Sequence, residues 1–127
     1  MKKGKIVSNG VLLKKHEQAT VNFFIEKGYT VELLPKSNKQ GQHTADLIMN
    51  GLEEWEMKAP KGKGKYVFQN TIQKAAKQSC NVIIDIRRLD MPREKVLAEF
   101  QKEFTRSKRL RRMMIITKKR ELLVFKK

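Results

Sequence analysis

The sequence predicts a single α/β (α+β) domain with a mixed central β-sheet flanked by helices. Three observations lead there. Stretches with helical periodicity alternate with short β-rich stretches. The run from Asn81 to Ile86 has a Val-Ile-Ile centre, as expected of a strand buried on both faces. The chain has 127 residues, 39% of them hydrophobic, which suits one compact core.

Residues 1–8 read as a flexible tail. Ser8 or Asn9 is placed to cap a helix over 10–27, which Gly28 stops. Residues 29–34 alternate as a strand until Pro35, and 36–44 form a polar loop. Two short strands, 45–49 and 52–58, flank Asn50-Gly51, a strong hairpin signal. Residues 59–66 carry Pro, Gly and Lys and read as a mobile basic loop. Phe68, Ile72, Ala75 and Ala76 give 67–79 the spacing of a core-facing helix. After the buried strand over 81–86, Asp90-Met91-Pro92 opens a helix to about 106, with Leu97, Phe100 and Phe104 facing inward. Segments 113–117 and 121–125 close the domain as a hairpin. The predicted order is α-β-β-β-α-β-α-β-β.

Charge narrows the function. There are 29 Lys plus Arg against 13 Asp plus Glu, a formal net charge of +16. Such an excess opposes compaction unless a polyanion neutralises it, and phosphates do so with release of counterions. The charge is spread along the chain rather than set on one amphipathic helix, which argues against a membrane-surface role. No apolar run is long enough to span a bilayer, and only Ile6 and Val7 follow the basic start before Ser8-Asn9-Gly10. Cys80 is alone, so no internal disulfide forms, and a reducing cytoplasm is the expected place of action.

In so basic a chain the acids are informative. Asp46 stands inside a predicted strand, where Asp is disfavoured. Across the turn, alternation puts Glu54, Glu56 and Lys58 on one face and Trp55 and Met57 on the other. A two-residue loop of Asn50-Gly51 would pair Asp46 with Trp55 and send it to the wrong face. A three-residue loop, Met49-Asn50-Gly51, pairs Asp46 with Glu54 and is the expectation adopted. Adjacent carboxylates repel unless a cation lies between them, and hard oxygen ligands suit Mg²⁺ or Mn²⁺, with Zn²⁺ as an alternative. Asp46 and Glu56 are therefore the candidate metal ligands. Lys58 is the candidate for orienting water or stabilising a phosphoryl transition state. Glu17 falls on the apolar stripe of the first helix with Leu13, Val21 and Phe24, so it is expected to meet a metal or a lysine. The competing reading makes Glu56 and Lys58 a minor surface pair and leaves Glu17 open to water.

This pattern resembles the PD-(D/E)XK nuclease superfamily, with Ala45-Asp46 as the first half of the motif and Glu56-Met57-Lys58 as the second. More narrowly, it is similar to the C-terminal tRNA-nuclease toxin domains of bacterial contact-dependent growth inhibition proteins. The residues that carry the similarity are Ala45-Asp46-Leu47-Ile48, Trp55 to Pro60, and the stretch from Asn70 to Gln78 running into Asn81 to Asp85. The resemblance implies a restriction-endonuclease-like core, a divalent metal, and RNA cleavage, with tRNA favoured over DNA. It also implies a neutralising immunity protein and delivery into a target cell's cytoplasm, the chain being a solitary relative or a detached toxin domain. Asp46 and Glu56 carry over as metal ligands, Lys58 as the catalytic lysine, Glu17 as the first-helix acid, and Gln78 as a helix residue near the site. Ala45 replaces the motif's Pro, which is not a ligand.

Candidate nucleic-acid contacts are Lys61, Lys63 and Lys65 in the glycine-rich loop and Arg109, Arg111 and Arg112 in a second basic cluster. Tyr66 is placed to stack on a base, whereas Phe68 fits the core better. Three rival functions remain: a DNA-cleaving nuclease of the same kind, a non-catalytic nucleic-acid-binding protein, and a metal-free ribonuclease using His16 or His43.

Overall fold

A computed structural model describes residues 3–36 and 45–127. The elements in chain order are β1 (Ile6–Val7), α1 (Lys15–Glu26), β2 (Val31–Leu33), β3 (Leu47–Met49), β4 (Glu53–Lys58), α2 (Val67–Gln78), β5 (Asn81–Asp85), α3 (Arg93–Arg106), β6 (Arg112–Ile116) and β7 (Leu122–Lys126). The strands form one mixed seven-stranded sheet in sequential order. Strand β1 is parallel to β2, β2 to β4 run antiparallel, β4 to β6 run parallel, and β7 returns antiparallel. The predicted fold class and element order hold, with β1 added.

Part of the stretch read as a flexible tail is thus built into the sheet. Ile6 and Val7 pair with Val31 and Glu32, and the Gly4 amide donates to Ile25 O at 2.8 Å. The first helix also starts later than expected. Asn9 (φ 50°) and Gly10 (φ 78°) adopt left-handed backbone in a turn, and Asn9 donates its side-chain amide to Leu33 O at 2.9 Å. That conformation cannot enter a helix, so α1 begins only after Lys14. Gly28 (φ 96°) ends it as expected, and the Tyr29 amide reaches back to Phe24 O at 3.0 Å.

Two apolar layers enclose the sheet. On one face Val21, Phe23 and Phe24 of α1 pack on Trp55 and Met57 of β4. On the other, Phe68, Ile72 and Ala75 of α2 and Val96, Phe100 and Phe104 of α3 pack on Val82, Ile84 and Met113. Val96 thus takes the fully inward position expected for Leu97, which is only partly buried, and Phe68 is core. All five residues of β5 are buried, as its apolar run predicts.

Strand β4 positions the site because it changes partners halfway. Its first half pairs antiparallel with β3, ending at Leu47 opposite Trp55. Its second half, Glu56 to Lys58, pairs parallel with Val82 to Ile84 of β5. Beyond Leu47 the side of β4 that faced β3 is released from the ladder, and Asp46 lies there.

Candidate active site

The hairpin turn decides which acids meet. Asn50 (φ 52°) and Gly51 (φ 70°) take the left-handed conformations that Asn-Gly favours, and the Leu52 amide donates to Met49 O at 3.0 Å. The last ladder pair is Met49 with Glu53, so the loop holds three residues but runs from Asn50 to Leu52, not Met49 to Gly51. Asn50 fixes this frame by bonding Thr30 twice, through its backbone amide at 2.7 Å and its side-chain oxygen at 2.8 Å. The shift of one residue corrects the expected pairing. Continuing the ladder sets Asp46 opposite Glu56, not Glu54, and Glu54 is exposed.

Asp46 lies in a bend just ahead of β3, not inside the strand as expected. Its amide donates to Trp55 O at 3.1 Å, while its own carboxylate accepts the Met57 amide at 2.8 Å. A side chain thus substitutes for the backbone ladder, and this holds the Asp46 carboxylate against β4. Glu56 points toward it with a side chain only 5% exposed. Two cations attend the pair. Lys58 Nζ lies 3.3 Å from Glu56 Oε2, and Lys36 Nζ lies 2.7 Å from Asp46 Oδ1 and 4.0 Å from Glu56 Oε1. Glu56 Oε1 is fully enclosed and has no hydrogen-bond partner among the described residues. An orphaned buried carboxylate oxygen facing a second carboxylate is an arrangement a cation would complete.

Burial, reinforced by the Asp46 carboxylate and opposed by Lys58 and Lys36, pushes Glu56 up from 4.5 to about 7. The folded chain then holds that proton more tightly than the unfolded chain. The stability Glu56 contributes is fully present below its unfolded value and is lost as pH rises through the folded one. In EDTA, the urea midpoint is expected to fall between pH about 5 and about 8, and Glu56→Gln to flatten that fall. A wild-type midpoint that stays level across this window contradicts the assignment.

Glu17 lies at the third position of α1, half-buried, and its Oε1 accepts the Lys14 amide at 2.8 Å. This backbone contact is the bond it makes among the described residues, and Lys58 instead contacts Glu56. Glu17 nonetheless lines a cleft of about 180 Å³ together with Asp46, Lys36, Leu13 and Met57. The structure therefore brings Glu17 to the side of the carboxylates without joining it to them. Among the described residues no group of three or more His, Cys, Asp or Glu could hold a metal, so the donor set is a carboxylate pair. Mg²⁺ and Mn²⁺ accept this, since they keep several waters and use one or two carboxylates; a tetrahedral His or Cys site for Zn²⁺ is absent from the described residues.

Gln78 ends α2 and lines neither this cleft nor the groove beside Lys58. That groove, about 370 Å³, takes Asn70, Thr71 and Lys74 from α2 and Pro60 from the preceding loop. The cause is the direction of α2. Its C-terminal end adjoins the start of β4, where Ser79 and Asn81 side chains bond Glu54 O. His16 is half-buried and lines neither cleft, and His43 lies outside the described residues.

Lys61, Lys63 and Lys65 are exposed, but their loop is anchored rather than free. Gly62 (φ 89°) bridges Leu89, and its carbonyl accepts the Asp90 amide at 2.9 Å. Tyr66 is exposed at the start of α2, with Lys65 Nζ 5.0 Å from its ring centroid. Arg109 lines a second groove, about 420 Å³, with Lys77 of α2, Arg106 at the end of α3 and Lys108 beyond it. Arg111 is exposed, whereas Arg112 is paired with Glu53. Lys74 and Lys77, which the sequence reading did not select, lie on the exposed side of α2 and link the groove beside Lys58 to the groove beside Arg109. Their spacing of three on an amphipathic helix was the available signal. Nothing comparable marked Lys36, which follows Pro35 outside any periodic segment.

A family model described as the contact-dependent growth inhibition CdiA C-terminal domain matches residues 42–122. Among solved structures, the chain is similar to one described as a CdiA-CT/CdiI toxin and immunity complex from Burkholderia pseudomallei. The two share 15% identity and a TM-score of 0.66, over 98% of this chain and 100% of that one. At that identity the likeness is one of fold. No curated protein matches the chain. No helix among the described residues is long and apolar enough to cross a membrane.

Proposed function

The chain belongs to the contact-dependent growth inhibition CdiA C-terminal domain family, and from that premise we propose that it is a toxin domain acting as a metal-dependent endonuclease on RNA, with tRNA the favoured substrate. The observation that carries this reading is the meeting of Asp46 and Glu56, one oxygen orphaned, with two lysine ammonium groups against them. A solvated surface pair would have no cause to bury Glu56 in a chain of net charge +16.

Asp46 and Glu56 would hold the metal, Mg²⁺ or Mn²⁺, which supplies positive charge to a phosphodiester and lowers the pKa of bound water. Lys58 presents an ammonium beside Glu56 Oε2, placed to stabilise charge on phosphate oxygens during cleavage. Buried Met57 and Trp55 on the opposite face of β4 fix the positions of Glu56 and Lys58. Lys61, Lys63 and Lys65 lead the nucleic-acid backbone to the site, and Lys74, Lys77, Arg109 and Arg111 continue the basic path along α2. These side chains read phosphate, not sequence. The resemblance to tRNA-nuclease toxins supports the choice of RNA. The solved relative's immunity partner motivates a cognate neutralising protein for this chain, and the proposed place of action is a target cell's cytoplasm.

The test is to incubate the protein with tRNA, other RNA and plasmid DNA in Mg²⁺, Mn²⁺, Zn²⁺ or EDTA. Cleavage of tRNA with Mg²⁺ or Mn²⁺, abolished by EDTA, is expected. EDTA-resistant cleavage would refute the metal site. Binding that weakens with salt but yields no product would leave only a nucleic-acid-binding module, and cleavage confined to DNA would overturn the substrate.

A further inference from the structure

The two lysines at the carboxylates are not equivalent. Lys58 contacts Glu56 Oε2, the outer oxygen of the pair, and its side chain is 27% exposed. Lys36 comes from the opposite side, beyond the end of β2, where the Leu34 amide bonds Asp46 O at 2.9 Å. Its Nζ is 2.7 Å from Asp46 Oδ1 and 4.0 Å from Glu56 Oε1, the orphaned oxygen. It therefore approaches the pair on the side of the unsatisfied acceptor.

Asp46 and Glu56 are the residues that would hold a divalent ion, through carboxylate oxygens that the Lys36 ammonium now faces. Such an ion would lie in the space that the Lys36 ammonium now fills. An ammonium and a dication cannot share it, because like charges a few ångströms apart in a partly buried site repel by several kcal/mol. The Lys36 side chain is 58% exposed against 27% for Lys58, so water is open to its ammonium once a dication takes the oxygens, whereas Lys58 need not move. On the metal-dependent reading above, we infer that Lys36 occupies the cation seat of Asp46 and Glu56 in the metal-free chain and is displaced when a divalent ion binds. Lys36 is thus a positioning residue. It holds two repelling carboxylates together before metal arrives, and it lowers their affinity for that metal by competing for the same oxygens.

A merely structural role predicts that removing Lys36 weakens metal binding; competition predicts the reverse. Mn²⁺ titration calorimetry on EDTA-stripped protein separates them. Lys36→Met is expected to bind Mn²⁺ at least about tenfold more tightly than wild type, and Lys36→Gln to behave alike. Lys36→Arg, which keeps the charge, should show no such gain. Without metal, Lys36→Met should melt at a lower temperature than wild type, and saturating Mn²⁺ should raise its melting temperature by more. Equal or weaker binding in both Lys36→Met and Lys36→Gln overturns the inference. Asp46→Asn separates that failure from failure of the site itself. If wild type binds Mn²⁺ and Asp46→Asn does not, an unchanged Lys36→Met defeats only the role of Lys36. If no variant binds Mn²⁺, the metal site and this inference fall together.

Discussion

Glu56→Gln is expected to reduce RNA cleavage by at least about 100-fold while leaving RNA affinity within about twofold. The substitution keeps the shape of a side chain that is 5% exposed, so the packing of β4 between β3 and β5 survives. It removes the charge that would ligate the metal, and with it the burial cost and the repulsion toward Asp46 that together raise the Glu56 pKa. The folded variant should therefore be no less stable than wild type at neutral pH, which separates loss of chemistry from loss of structure. On the proposed reading, RNA affinity would reside mainly in the exposed lysines and arginines, which this change does not touch. Gel-shift binding at fixed salt, together with single-turnover cleavage of the same RNA, gives both quantities. Undiminished cleavage would remove Glu56 from the site, and binding that collapsed with activity would point to a folding defect.

The sequence made the site legible because Asp46 and Glu56 break local rules. An Asp in a stretch that reads as strand and a Glu flanked by Trp55 and Met57 both run against local expectation, although Asp46 proves to sit in a bend just ahead of β3. What strand alternation could not supply was the register. The expected and observed loops at Asn50-Gly51 are equal in length, yet they differ by one residue in frame, and this exchanged Glu54 for Glu56 as the partner of Asp46. The deciding contact is tertiary, Asn50 on Thr30, which no hairpin rule contains. The helix over 67–79 and the strand over 81–86 were legible within a residue because apolar periodicity alone defines them. The start of α1 was not, since Asn9 gives its side chain to Leu33 O instead of capping a helix. Lys36 was invisible for a related reason: its role depends on where β2 ends relative to Asp46, a tertiary placement that local sequence does not encode.

Arg87→Met is expected to lower folding stability by about 3 kcal/mol, although Arg87 lies outside the proposed chemistry. Asp85 closes the fully buried strand β5 with a carboxylate only 4% exposed. Arg87 grips it with two bonds, Nε to Oδ1 at 2.9 Å and an Nη to Oδ2 at 2.7 Å. Thr20 of α1 donates its hydroxyl to the same Oδ2 at 2.8 Å, and Arg87 also bonds Ala19 O at 3.1 Å. The guanidinium lies 5.5 Å from the Phe23 ring centroid, so a single cation joins the end of β5 to α1 through polar and aromatic contacts. Its hydrogen bonds to Asp85 raise its pKa further, so it stays charged at any pH of interest. Removing it leaves the buried carboxylate with the Thr20 hydroxyl and the residue-87 amide but no opposite charge, and that uncompensated charge accounts for most of the loss. Arg87→Lys should recover only part, because an ammonium cannot make the paired contacts of a guanidinium. Asp85→Leu combined with Arg87→Met should be more stable than Arg87→Met alone, since it removes the stranded charge as well. Urea unfolding of the three variants decides the matter, and a loss under about 1 kcal/mol for Arg87→Met would show that the pair is solvated rather than buried. Because α1 carries Glu17 to the cleft beside Asp46, cleavage by Arg87→Met is expected to fall with the folded fraction and to return at lower temperature, unlike that of Glu56→Gln.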